Sequence, residues 1–240
     1  MKKIIIIIAA ILVVLFLAKD FITGAFMAFG VTSLTDLSAS VHRASLGVFK
    51  SAVDVRGLKL YNPRRDFKDR VMMDIPELYI NYDLGSFLRG RRHLKEIRLH
   101  VKEVVVVKNE AGKLNVESIR AIQTRLEQKR EGDKRDSKFR IDVLDLKIDN
   151  VIYKDYSTPG SPLEKEFKVG IDEHYTNITN PYSFVSLVVF KAVVSTGIAS
   201  LAHFDFSPLK NAALDTPVNA TKKAAEAAIG TVKNLWPFGK

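Results

Sequence analysis

Two stretches of this chain match each other position by position. VDVRGLKLYNP (53–63) and IDVLDLKIDNV (141–151) pair Val53 with Ile141, Asp54 with Asp142, Val55 with Val143, Leu58 with Leu146, Lys59 with Lys147, Leu60 with Ile148 and Asn62 with Asn150, at a constant offset of 88. A looser third copy is LKEIRLHVKEVVVV (94–107), where Ile97, Leu99 and Val101 take the alternating apolar positions. Period-2 alternation rich in Val, Ile and Leu makes a strand with one face buried and the other wet. Residues 71–84 read the same way, with Leu78, Ile80, Tyr82 and Leu84 on one side and Asp74, Glu77 and Asp83 towards water. Pro76 has no N–H to give a ladder, which points to an edge strand or a bulge. The run Val104 to Val107 reads as covered on both faces. A turn at residues 110–113 leads to a helix with Asn115 as its cap and Ile119, Ile122 and Leu126 at helical spacing. Residues 128–138 hold eight charges in eleven positions and read as a solvated loop. A further strand pair falls between Leu163 and Ile178, after the turn at residues 157–162.

The N-terminus imposes a different constraint. After Lys2 and Lys3, residues 4–18 (IIIIIAAILVVLFLA) carry no polar side chain. A helix of that length reaches only about 22 Å, short of a hydrocarbon core of about 30 Å. Either it is the core of a cleaved signal peptide, or the helix continues. Cleavage after Ala18 would put Phe16 at a position that wants a small side chain. Residues 21–31 (FITGAFMAFGV) are apolar again, so we read residues 1–31 as an uncleaved signal-anchor, with the Lys19 stem snorkelling. Lys2 and Lys3 then keep the N-terminus cytoplasmic and put the rest of the chain outside. Near the other end, residues 183–202 are almost entirely apolar or small around a central Lys191. A lysine at mid-bilayer costs about 2.5–3.5 kcal/mol. A helix closing the end of the sheet fits better than a second span or a re-entrant helix, which stay open as the alternative. The tail holds an Ala-rich helix (217–234) and Trp236 and Phe238 beside Lys240; it fits either an interfacial segment or a plain surface helix.

Charge and composition narrow the function. There are 37 Lys and Arg against 27 Asp and Glu, a net charge of +10, and no cysteine. Thiol nucleophiles, disulfides and Cys-ligated metals are therefore excluded. The excess lies in residues 51–130, with 18 basic and 11 acidic side chains, whereas residues 131–240 hold 14 of each. Because bases alternate with acids along the strands, this is a solvated face, and anionic headgroups suit it better than nucleic acid. The five histidines form no close ligand pair, and no nucleophile elbow or phosphate-binding glycine loop occurs. Asp172-Glu173-His174, the one acid–histidine cluster, lies in a strand where neighbours point to opposite faces. The reading is non-enzymatic, with no cofactor and no metal.

The order of motifs carries a family resemblance. A strand ending Gly57-Leu58-Lys59-Leu60-Tyr61-Asn62-Pro63 is followed by IPELYINYDLGSFLRG (75–90), then LKEIRLHV (94–101), then GKLNV (112–116). This order resembles the N-terminal module of the AsmA-like proteins. Asn62 and Pro63 match its corner; Asp83, Leu84, Ser86, Leu88 and Gly90 match its second motif; Gly112 and Asn115 match its turn. The similarity covers roughly residues 1–155, and the later helices resemble those of the short, single-module members. It implies a curved β-groove, apolar inside, shared with TamB and the chorein-type lipid carriers, which are thought to carry phospholipid along a greasy trough. Five or six strands at about 4.8 Å spacing cover only about 25–30 Å, too little for one module to bridge two membranes. The corner alone also occurs in immunoglobulin-like water-stress domains, so a β-sandwich is the alternative fold.

The expected molecule is thus α+β. A transmembrane helix (1–31) precedes a curved, mostly antiparallel β-groove module (32–180), and a C-terminal helical region (181–240) follows. Val55, Leu58, Leu60, Leu78, Ile80, Ile97, Leu99, Val101, Ile141, Leu146 and Ile148 are the expected lining of the groove. Asn62, Pro63, Asp83 and Asn115 are expected to be structural. Arg89, Arg91 and Arg92, placed in a turn between strands, are candidates for headgroup contact, because Arg forks match phosphate geometry. The corresponding function is phospholipid binding, in aid of lipid transfer or envelope maintenance, by a single-pass protein of the bacterial inner membrane whose bulk is periplasmic. The alternative is a scaffold that docks another envelope protein or anionic headgroups.

Overall fold

A computed structural model describes residues 37–47, 50–119, 139–179 and 181–198. The expected anchor, the 128–138 loop, the Ala-rich tail and the end of the 183–202 stretch lie outside these residues. Six strands form one sheet in sequence order: β1 (Ser38–Gly47), β2 (Ala52–Tyr61), β3 (Val71–Tyr82), β4 (Arg92–Lys108), β5 (Phe139–Asp155) and β6 (Leu163–Ile178). Four neighbouring pairs are antiparallel and β4–β5 is parallel. A parallel pair needs a long return, and residues 109–138 supply it. A short helix, α1 (Leu84–Leu88), joins β3 to β4, and α2 (Pro181–Val194) follows β6. The described chain is therefore mostly β, one mixed sheet with few helices. No second sheet forms among the described residues, so they make no β-sandwich.

Four strands share a spacing that simple alternation does not explain. In the middle of the sheet the core residues include Val53, Val55, Leu58 and Leu60 on β2, and Met73, Ile75, Leu78 and Ile80 on β3. On β4 they include Leu99, Val101, Val104 and Val106, and on β5 Leu146, Ile148, Val151 and Tyr153. Each set steps by two, then three, then two. Strict alternation would send the third member to the wet face; one extra residue in each strand restores it. The β2–β3 ladder skips a pair at that level without a shift of register: Gly57 has a φ of 62° and faces Pro76 between the pairs Arg56↔Glu77 and Leu58↔Ile75. The β5–β6 register shifts between Ile148 and Asn150. Pro76 thus lies in an inner strand, not at an edge, and is tolerated because it sits at the irregularity.

Gly57 is needed there twice over. Its positive φ disfavours any side chain, and a Cβ would stand 2.9 Å from the His42 Cβ on β1. Gly57→Ala is expected to cost about 1–3 kcal/mol in urea unfolding, whereas a substitution at the open Gly112 turn pays only the backbone strain.

Matched positions of the repeat do not stand level in the sheet. Val53 pairs with Ile80, Ile80 with Ile97 and Ile97 with Leu144, so Val53 is level with Leu144 rather than Ile141. The residues between Leu163 and Ile178 form one continuous strand. At the far end of β4 the apolar run divides as its composition suggested. Val104 and Val106 join the main core, while Val105 and Val107 pack with Phe67, Ile152 and Tyr156 on the opposite face.

Candidate functional site

All eleven residues expected to line a groove share one face of the sheet and one apolar cluster. Eight of them are buried; Leu60, Leu78 and Ile80 are only partly so. Rungs run straight across the strands. Leu46, Val53, Ile80, Ile97, Leu144 and Tyr175 form one, and Ala44, Val55, Leu78, Leu99, Leu146 and Glu173 the next. The β5–β6 half of the face carries α2, whose Leu187, Val188, Val189, Ala192 and Val193 are buried in the same cluster. The partly open residues lie on β2 and β3.

Glu173 is the acid in that apolar rung, and α2 explains it. Lys191 Nζ donates to Glu173 Oε1 at 2.9 Å, and the Tyr175 hydroxyl donates to Glu173 Oε2. The lysine that argued against a membrane span thus meets a carboxylate on the sheet. Among the described residues no helix is long and apolar enough to cross a membrane. Asp172 and His174, the neighbours of Glu173, turn to the wet face and pair with Lys147 at 3.4 Å and Asp145 at 2.6 Å. The cluster is split between faces.

The Tyr175 hydroxyl is pushed far above its ordinary value near 10, by burial first and then by its hydrogen bond to Glu173. Tyr153 moves the same way, through burial and Asp155. A raised folded value means stability present below the unfolded value and lost as pH climbs past it. The protein should therefore lose stability steadily from about pH 10 upward. In urea titrations at a series of alkaline pH values, Tyr175→Phe should flatten that slope; an unaltered slope would remove Tyr175 as its source.

Asn62 and Asn115, matched to the family's corner and turn, are brought together. Asn115 is fully buried; its Oδ1 accepts from Val107 N–H at 2.9 Å, and its Nδ2 donates to Val105 O at 2.7 Å and to Asn62 Oδ1 at 2.9 Å. Asn62 in turn donates to Asp69 O at 2.9 Å, while its own N–H goes to Arg70 O. Pro63 starts the loop between them, its carbonyl accepting from Asp66 N–H. Asn115 is thus not a helix cap, since its side chain ties the β4 end to the corner. Beyond it lies an open cleft of about 590 Å³ lined by Arg64, Arg65, Phe67, Asn109 and Tyr156, with Lys68 paired to Glu110 at 2.5 Å.

The wet face is laced with ion pairs. Arg56 meets Asp54 and Glu77, Arg98 meets Glu96 and stacks over Tyr79, and His93 and His100 lie 2.7 Å and 2.8 Å from Asp142 and Asp149. No group of three potential ligands is placed to hold a metal ion among the described residues.

Arg89, Arg91 and Arg92 are all exposed, but a helix precedes them where a plain turn was expected. Asp83 caps α1: its Oδ1 accepts from Ser86 N–H at 2.9 Å, and that hydrogen bond holds the carboxyl below its usual range. Arg89 follows as the C-cap, and Arg91 N–H closes the turn on Ser86 O. The apolar side of this tip, Leu84, Phe87 and Leu88, is not among the expected site residues, because alternation along residues 71–84 assigns Leu84 to the buried phase of a strand. Asp83 followed three residues later by Ser86, with no alternation beyond Leu84, was the available signal of a cap. Comparison of the chain with protein-family models, curated proteins and solved structures finds no match.

Proposed function

We propose that this chain is a short AsmA-like protein, held in the bacterial inner membrane by residues 1–31 and carrying its bulk in the periplasm. Its non-enzymatic task is to hold phospholipid acyl chains against the apolar face of the sheet, in aid of lipid transfer or envelope maintenance. The observation that carries the reading is the apolar face, which gathers eleven residues from four strands while much of the opposite face carries ion pairs. Acyl chains would lie over β2 and β3, where Val53, Leu60, Leu78 and Ile80 are only partly buried among the described residues. Methylene groups against such a surface contribute about 0.8 kcal/mol each.

Photocrosslinking decides it. A photoreactive residue at Leu78 or Ile80 in the full chain, irradiated in cells, should give phospholipid adducts by mass spectrometry. One at Glu77 or Lys59, on the wet face, should give none. Absence of lipid adducts at both apolar positions in a folded chain would sink the lipid reading and leave the scaffold.

A further inference from the structure

The described residues contain four large apolar side chains that are well exposed, and three of them sit on one five-residue helix: Leu84 at 42%, Phe87 at 51% and Leu88 at 81%. Arg89, Arg91 and Arg92 follow at once, and Lys95 is exposed beside them. Arg91 and Arg92 have no ion-pair partner among the described residues, unlike Arg56, Arg98 and Arg140, each of which meets a carboxylate. Phe87 is set in place by Tyr82, ring edge to face at 5.7 Å between centroids. The tip therefore projects greasy side chains together with the guanidinium groups of Arg91 and Arg92, which have no ion-pair partner among the described residues, from a braced base.

We propose that α1 and the turn after it form a membrane-docking tip. Leu84, Phe87 and Leu88 enter the interfacial region of an anionic bilayer, and Arg89, Arg91 and Arg92 fork onto lipid phosphates. Three apolar side chains fall far short of a stable protein interface, which buries about 1,200–2,000 Å² in total. A bilayer takes them up one at a time, each in proportion to its apolar area. The arginines suit a plane of phosphates at the depth of the headgroups. The tip also lies at the Gly47 end of β1, away from Ser38, where the chain enters the sheet after the apolar residues 4–31. A ten-residue strand is about 33 Å long, which sets the tip well apart from the point where the chain enters the sheet. The proposal stands or falls independently of acyl chains on the β2–β3 face.

The test uses the full chain held in phosphatidylcholine nanodiscs and mixed with vesicles of phosphatidylcholine and phosphatidylglycerol. Vesicles should bind and should release as salt rises. Replacing Arg89, Arg91 and Arg92 by glutamine should weaken binding at low salt by roughly tenfold or more and remove most of the salt dependence. Phe87→Ser with Leu88→Ser should weaken it by roughly tenfold or more while leaving the salt dependence in place. Phe87→Trp, made in a Trp236→Phe chain so that it is the one tryptophan, should shift its emission to the blue on contact with the vesicles. All these positions are exposed, and circular dichroism melts should match the parent. Equal vesicle binding by the parent and both sets of variants, or tryptophan emission at 87 that vesicles leave unmoved, would overturn the proposal.

Discussion

Asn115→Ala should cost the fold about 3–5 kcal/mol, a large part of the 5–15 kcal/mol that a domain of this size commonly has. The substitution removes one acceptor and two donated hydrogen bonds at a site with no access to water. Val107 N–H, Val105 O and Asn62 Oδ1 are left to find other partners. Each buried group left unpaired costs about 1–3 kcal/mol, and the three share one network, so the costs do not simply add. Asn62→Ala should be milder, because it frees one Asn115 donor and the Asp69 carbonyl and leaves the two β4 contacts intact. Urea unfolding of both single variants and the double variant checks this. A double-variant loss equal to the sum of the singles would mean that the two asparagines do not act as one unit.

Glu173→Leu should destabilise by about 1–3 kcal/mol, less than a fully buried pair would lose, since both side chains keep some contact with solvent. The reason is Lys191, left with its charge against an apolar sheet and helix. Lys191→Met alone should also destabilise, by leaving the carboxylate with only the Tyr175 hydroxyl. The double variant Glu173→Leu with Lys191→Met should recover most of the loss, because apolar groups of similar volume replace the pair in an apolar rung. Thermal melts of the three variants measure this. A double variant as unstable as the worse single one would show that the ion pair contributes more than the cost of burying it.

Much of the sheet could be read along the chain. Val53 to Leu60, Leu78 to Ile80, Ile97 to Val101 and Ile141 to Ile148 advertise a strand by apolar spacing alone, and the spacing is a consequence of which side chains leave water. The division of Val104 to Val107 between two faces was legible for the same reason. The strand β1 was not. SASVHRASLG offers small and polar residues with little apolar contrast, and only pairing with β2 makes it a strand. Lys191 spoke against a membrane span for its helix, yet its partner Glu173 is visible only when α2 lies on β6.

By itself, then, the amino-acid order determined that β2 to β5 are strands and, over most of their length, which face is dry. These are local matters, settled by side-chain transfer out of water and by backbone sterics. Only the tertiary structure decided the register that sets Val53 level with Leu144, the meeting of Asn62 with Asn115, and the exposure of Leu84, Phe87 and Leu88. Pairing between distant strands depends on the whole set of cross-strand contacts at once, and an apolar side chain is exposed or buried according to neighbours that lie far away along the chain.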